Sequence, residues 1–93
     1  MAKQVTNVER ATVQESKFSL EREQVSLTCD DGSEYVFERP ADSPRQDYNL
    51  ARRVKPDGDL STSKGILPAA VTEAMDDFTE RLAEYGIKRG WEK

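Results

Sequence analysis

Apolar and polar residues alternate most regularly over residues 17–39, KFSLEREQVSLTCDDGSEYVFER. Val25, Leu27 and Cys29 alternate with Gln24, Ser26 and Thr28, and Tyr35 and Phe37 with Glu34 and Glu38, which is the period of half-buried strands. Asp30-Asp31-Gly32 separates the two runs. A two-residue turn would pair Leu27 with Val36 and put the aromatics on the polar face. A three-residue loop with Gly32 in the left-handed conformation pairs Leu27 with Tyr35 and Val25 with Phe37, so the bulged loop is predicted. An even-numbered turn across Glu21–Gln24 extends the pattern by one strand, pairing Leu20 with Val25 and Phe18 with Leu27. Phe18, Leu20, Val25, Leu27, Tyr35 and Phe37, with Cys29 at the edge, then form one apolar face that needs a cover.

That cover is predicted at residues 68–85. Pro68 opens a helical pattern in which Val71, Ala74, Met75, Phe78, Leu82 and Tyr85 fall on one face. Gly86 stands where a left-handed cap belongs, and Ile87 could fold back on Leu82. Trp91 either tucks against the sheet or is presented to a partner. A shorter helix is predicted over 44–54, with Ser43 as N-cap, Pro44 at the first position and Gln46 completing a capping box. Its exposed row would be Arg45, Asn49 and Arg52, with Tyr48 and Arg53 at the margins.

Val5, Val8, Ala11 and Val13 fit neither period, so a strand is expected within 5–16 without a settled phase, with a bulge near Glu15–Lys17 if it ran on to Leu20. Residues 57–66 read as a connection, expected to be mobile like residues 1–4. The fold class is α+β: a three- to four-stranded antiparallel meander packed against a C-terminal amphipathic helix, plus one short helix, in a single domain over 1–93. The outermost meander strand could pair with a second copy, with Val36 as a contact pointing away from the core.

Composition narrows the chemistry. The 93 residues include one cysteine and no histidine. Without histidine the commonest general base and metal ligand are missing. Cys29 stands beside Asp30 and Asp31, which disfavour a thiolate, and reads as a core residue. Ser63-Lys64-Gly65 lacks the spacing of a phosphate loop, and Asp57-Gly58-Asp59 lacks the remaining ligands of a calcium loop. No enzyme activity, cofactor or metal is expected. A polar N-terminus, a lone cysteine and the absence of a long apolar run lead to the expectation of a cytoplasmic protein without a membrane segment.

Charge supplies the candidate surfaces. The net charge is −4, divided as −4 over residues 1–38, +2 over 39–64 and −2 over 65–93. Glu73, Asp77, Glu80 and Glu84, with Asp76 beside them, form an acidic row opposite the apolar face of the C-terminal helix. Steps of about 4.5–6 Å along such a row are comparable to phosphate spacing in a nucleic-acid strand, a match for a basic groove. The plain alternative is a solvated face, with Arg81 and Lys88 as i,i+4 partners of Asp77 and Glu84. Arg45, Tyr48, Arg52, Arg53 and Lys55 form the opposite-sign candidate, suited to phosphate or carboxylate.

These features lead to the expectation of a small non-enzymatic protein-binding module acting by surface occupation. Its partner would be another protein, in one sub-case a nucleic-acid-binding complex that it inhibits. Size and acidity are those of many small phage and mobile-element proteins and of small adaptor subunits, an analogy of composition only. The alternative is a nucleic-acid-binding protein using the Arg45/Arg52/Arg53 face.

Overall fold

The computed structural model describes residues 3–43, 45–62 and 65–86, and the backbone of 88–91. Among these residues six strands, β1 (Val5–Gln14), β2 (Arg22–Cys29), β3 (Glu34–Pro40), β4 (Asn49–Val54), β5 (Leu60–Ser61) and β6 (Lys88–Trp91), form one sheet in the order β5-β4-β3-β2-β1-β6. The five strands from β1 to β5 make a continuous antiparallel meander, and β6 runs parallel to β1. The chain leaves the sheet at one edge and returns at the other. The segment that crosses between them carries the helix α1 (Ala69–Glu80) and a short 3-10 turn, Leu82–Glu84. The class is α+β, as expected, but the sheet has six strands among the described residues rather than the three or four expected.

The β2–β3 hairpin has the predicted register, Leu27 opposite Tyr35 and Val25 opposite Phe37. Gly32 adopts φ 89° at the left-handed position. Asp31 fixes the loop, its Oδ1 accepting from Ser33 N at 2.9 Å and from Ser33 Oγ at 2.6 Å. Val25, Leu27, Cys29, Tyr35 and Phe37 meet Val71, Met75 and Phe78 of α1 in one core. Phe78 is fully buried. Its ring is held edge-on by Tyr48 at 5.6 Å and tilted against Tyr85 at 4.8 Å. Burying one such side chain is worth about 1.5–3 kcal/mol.

Several expectations are corrected. The first strand is β1, not a segment through Phe18 and Leu20. Residues 15–21 form the β1–β2 connection, and Phe18 and Leu20 are 89% and 80% exposed. Val8 and Arg10 take the places opposite Leu27 and Val25. A bulge lies at Thr6, where Val5 and Asn7 stand opposite the consecutive residues Cys29 and Thr28. It explains the irregular pattern. Val5 and Val8 both reach the helix-side core although three residues apart, whereas Ala11 and Val13 face the other way.

The helix predicted over 44–54 is not formed; Asn49–Val54 is β4, hydrogen-bonded along β3. Ser43 caps nothing there, and its carbonyl instead accepts Gln46 N at 3.0 Å in a turn. A capping box is worth about 1 kcal/mol. Pairing six residues along the open edge of β3 forms several backbone hydrogen bonds of about 1 kcal/mol each, and that competition goes to the strand. Because β4 covers β3, β3 is not an edge, and Val36, expected outside, is fully buried on the sheet face away from α1. The sheet edges are β5 and β6.

The connection 57–66 contains β5, reached by a hairpin loop built like the first. Gly58 has φ 93°, and Asp57 Oδ1 accepts Asp59 N at 3.0 Å. The C-terminal helix proper ends at Glu80, with Arg81 as its cap, five residues before the predicted end. Among the described residues only Gly32 and Gly58 have positive φ, so Gly86 is not a left-handed cap. The expectations for Pro44, Ser63, Lys64 and Ile87, and for the side chains of Lys88 and Trp91, lie outside the described residues. No helix among the described residues is long and apolar enough to cross a membrane.

Candidate functional site

The strands dictate where charge can stand. With β2 and β3 in register, Glu23 falls opposite Arg39, in phase with Val25 and Phe37 on the helix side of the sheet. Arg10 of β1 lies on the same side, opposite Val25. The Glu23 and Arg39 side chains are each only 6% exposed. Arg39 donates from Nε to Glu23 Oε2 at 2.8 Å, with Nη2 also 2.8 Å from that oxygen. Arg10 Nε donates to Glu23 Oε1.

The outer ends of both arginines are also engaged. Arg10 Nη1 donates to Leu82 O and Tyr85 O, each at 3.4 Å, and Arg39 Nη1 donates to Gln46 O at 3.3 Å. The Arg39 guanidinium lies 4.3 Å from the centre of the Tyr48 ring. Burial pushes the Glu23 carboxyl up, but the neighbouring Tyr48 hydroxyl, Arg39 and Arg10 outweigh it and hold its pKa below the usual value. Burial, followed by the proximity of Glu23, raises the Tyr48 pKa. This hydroxyl is buried without a partner at hydrogen-bonding geometry. The triad ties β1, β2, β3, the loop before β4 and the 3-10 turn together. Its bonds are all internal, which makes it a structural fastening. Sequence reasoning left it out because it put Glu23 in a turn across Glu21–Gln24, whereas β2 begins at Arg22 and brings Glu23 opposite Arg39.

The acidic row is presented as predicted in its helical part. Glu73, Asp76, Asp77 and Glu80 are exposed on α1, and Glu84 is exposed on the 3-10 turn. Asp77 pairs with Arg81 at 3.2 Å, the expected i,i+4 contact. Among the described residues, Glu73, Asp76 and Glu80 have no ion-pair partner.

The basic candidates do not form one row, because a strand sends successive side chains to opposite faces. Arg52 is exposed on the face away from α1, opposite Val36, whereas Arg53 lies opposite Tyr35 on the helix side. Tyr48 is half-buried against Phe78 and Arg39. Arg45 is exposed in the loop before β4, and Lys55 just beyond its end.

Sequence reasoning also buried two residues that are exposed. Phe18 and Leu20 project from the β1–β2 connection, which is shaped by Ser16: its Oγ accepts Phe18 N at 3.2 Å and its carbonyl accepts Ser19 N at 3.0 Å. Compared with models of protein families, with curated proteins and with solved structures, the chain finds no match in any of the three.

Proposed function

We propose that the chain is a non-enzymatic protein-binding module that presents the outer face of α1 to a basic protein surface. The observation that carries this reading is how charge is distributed along the helix. A helix is stabilised by acids in its first turn and bases in its last, each worth about 0.3–1 kcal/mol. α1 has no acid in the first turn and no base in the last, and Asp76, Asp77 and Glu80 crowd its negative end. This row weakens the helix that carries it, so local stability does not account for it, whereas surface recognition does. A basic groove of the kind that holds a nucleic-acid backbone is the partner chemistry such a row fits, and occupying that groove would inhibit its owner.

The test is affinity capture from nuclease-treated host lysate with the natural chain and with the Glu73→Lys, Asp76→Lys, Asp77→Lys, Glu80→Lys variant. The expected result is a stoichiometric, nuclease-resistant partner that the variant loses while its melting temperature is unchanged or higher. A partner kept by the folded variant, or one that disappears with nuclease, refutes the proposal.

A further inference from the structure

The two Asp-Gly loops, 29–33 and 55–59, lie side by side at one end of the sheet. A Cβ placed on Gly32 would come 3.7 Å from Pro56 O. Both loops close in the same way. Cys29 N donates to Ser33 O and Lys55 N to Asp59 O, each at 2.8 Å, and each glycine N–H returns to the residue three before it. Between these loops and the start of the chain lies a cleft of about 220 Å³, whose lining includes Lys3, Ser33, Tyr35, Arg53, Lys55 and Ser61. Tyr35, Arg53 and Ser61 are cross-strand neighbours in register, so β3, β4 and β5 each place one polar side chain in a single row.

Among the described lining residues, Lys3, Arg53 and Lys55 are cations and none is an acid. Lys3 is already engaged: its Nζ donates to Ser33 Oγ and Tyr35 OH at 3.2 Å and lies 3.3 Å from Asp31 Oδ2. That set holds its ammonium against the cleft wall and leaves its charge largely matched by Asp31. Arg53 is different. Its Nη2 donates to Gly65 O, which anchors the guanidinium, but its Nε is buried with no hydrogen-bond partner. Among the described residues neither Arg53 nor Lys55 has a carboxylate partner. A buried charged donor without an acceptor is rare in a folded chain and reflects strain, an ordered water or a bound ion; the Nε itself is closed to solvent, so an anion in the cleft meets the part of the Arg53 side chain that lines it. A guanidinium suits an oxyanion, and the exposed Lys55 adds a second charge at the rim.

We propose that this cleft is a binding site for a small oxyanion, phosphate or carboxylate in class, with Arg53 as the principal donor and Lys55 as the rim cation. The volume admits the anion together with part of the molecule that carries it. The site is separate from the acidic helix row, and its ligand is opposite in sign to the protein surface proposed there.

The test is an NMR titration of the full chain with sodium phosphate and, separately, sodium acetate. Ionic strength is held constant with sodium chloride. The Arg53 Nε–Hε signal and the backbone amides of Ser33, Tyr35 and Ser61 are followed. The expected result is a saturable shift confined to these signals. Saturation by phosphate alone identifies a phosphate site, and saturation by acetate as well identifies a general oxyanion site. Arg53→Lys should weaken binding at least tenfold, Lys55→Gln about threefold, and Arg52→Gln on the opposite face not at all. Shifts that do not saturate, or that persist equally in both Arg53→Lys and Lys55→Gln, overturn the proposal. Should Arg53→Lys fail to fold, the natural chain's Arg53 signal and the Lys55→Gln variant decide it.

Discussion

Replacing Glu23 with glutamine tests whether the buried triad holds the fold together. The substitution keeps the size of the side chain and removes its charge. Arg10 and Arg39 remain, with the Arg10 and Arg39 side chains 19% and 6% exposed. Arg39 loses two contacts of 2.8 Å to a carboxylate oxygen, and Arg10 loses its contact to the other oxygen. The amide oxygen of glutamine can replace one of these, more weakly. Hydrogen bonds to charged groups are worth about 1.5–3 kcal/mol each, and removing one member of a buried ion cluster typically costs about 3–5 kcal/mol. The variant is expected at that cost, a large part of the roughly 5–15 kcal/mol that stabilises a domain. Urea unfolding followed by circular dichroism would measure it, and the melting temperature should fall by more than about 12 °C.

The pH profile gives an independent reading. The Glu23 pKa is lowered in the folded chain, so its contribution is full above the unfolded value of 4.5 and is lost as pH falls through the folded value below it. The natural chain should therefore lose stability on acidification by an amount that the glutamine variant lacks. A penalty under about 1 kcal/mol, with parallel acid profiles, would refute the reading of the triad as a fastening.

Gly32→Ala forces an L residue to φ 89° and should cost about 1–2 kcal/mol, with Gly58→Ala, at φ 93°, similar; a change under about 0.3 kcal/mol in chemical denaturation would count against the loop geometry. Phe18→Ser combined with Leu20→Ser should alter stability by less than about 0.5 kcal/mol, because both side chains are exposed; a loss above about 2 kcal/mol would return them to the core. Burial raises the Cys29 pKa, and its 3% exposure blocks access, so a thiol reagent at pH 8 should label the native chain far more slowly than the unfolded one; equal rates would contradict that placement.

The hairpin over 22–40 was readable because alternation and an Asp-Gly loop agreed on one register. The same Asp-Gly signal recurs at Asp57-Gly58 and builds a second hairpin, but β5 is only two residues long and offers no alternation to read. The bulge at Thr6 erased the period of β1, since a single extra residue shifts every later side chain to the other face. β4 was hidden for a different reason. Its six residues are exposed or half-buried, so it has the composition of a surface segment, and the Ser43–Gln46 pattern favoured a helix locally. Only the unpaired edge of β3, a property of the assembled sheet, decides for the strand. The candidate surfaces divide along the same line. The acidic row survives because α1 is a helix, and the arginine row dissolves because β4 is not.

The triad and the acidic row are connected through the end of α1. With acids crowding its negative end, the helix needs a cation there, and its last turn supplies none. Arg81, the capping residue, is engaged by Asp77. The cation comes from the sheet instead: Arg10 reaches the carbonyls of Leu82 and Tyr85 just beyond the helix, and Glu23 holds Arg10 in place. Stabilisation of this helical end thus arrives from the buried side, from residues distant in sequence. The outer carboxylates of Glu73, Asp76 and Glu80 take no part in that support. Weakening the inner support should therefore loosen the presentation of the acidic face before the sheet itself opens, linking the stability of the triad to the binding proposed for α1.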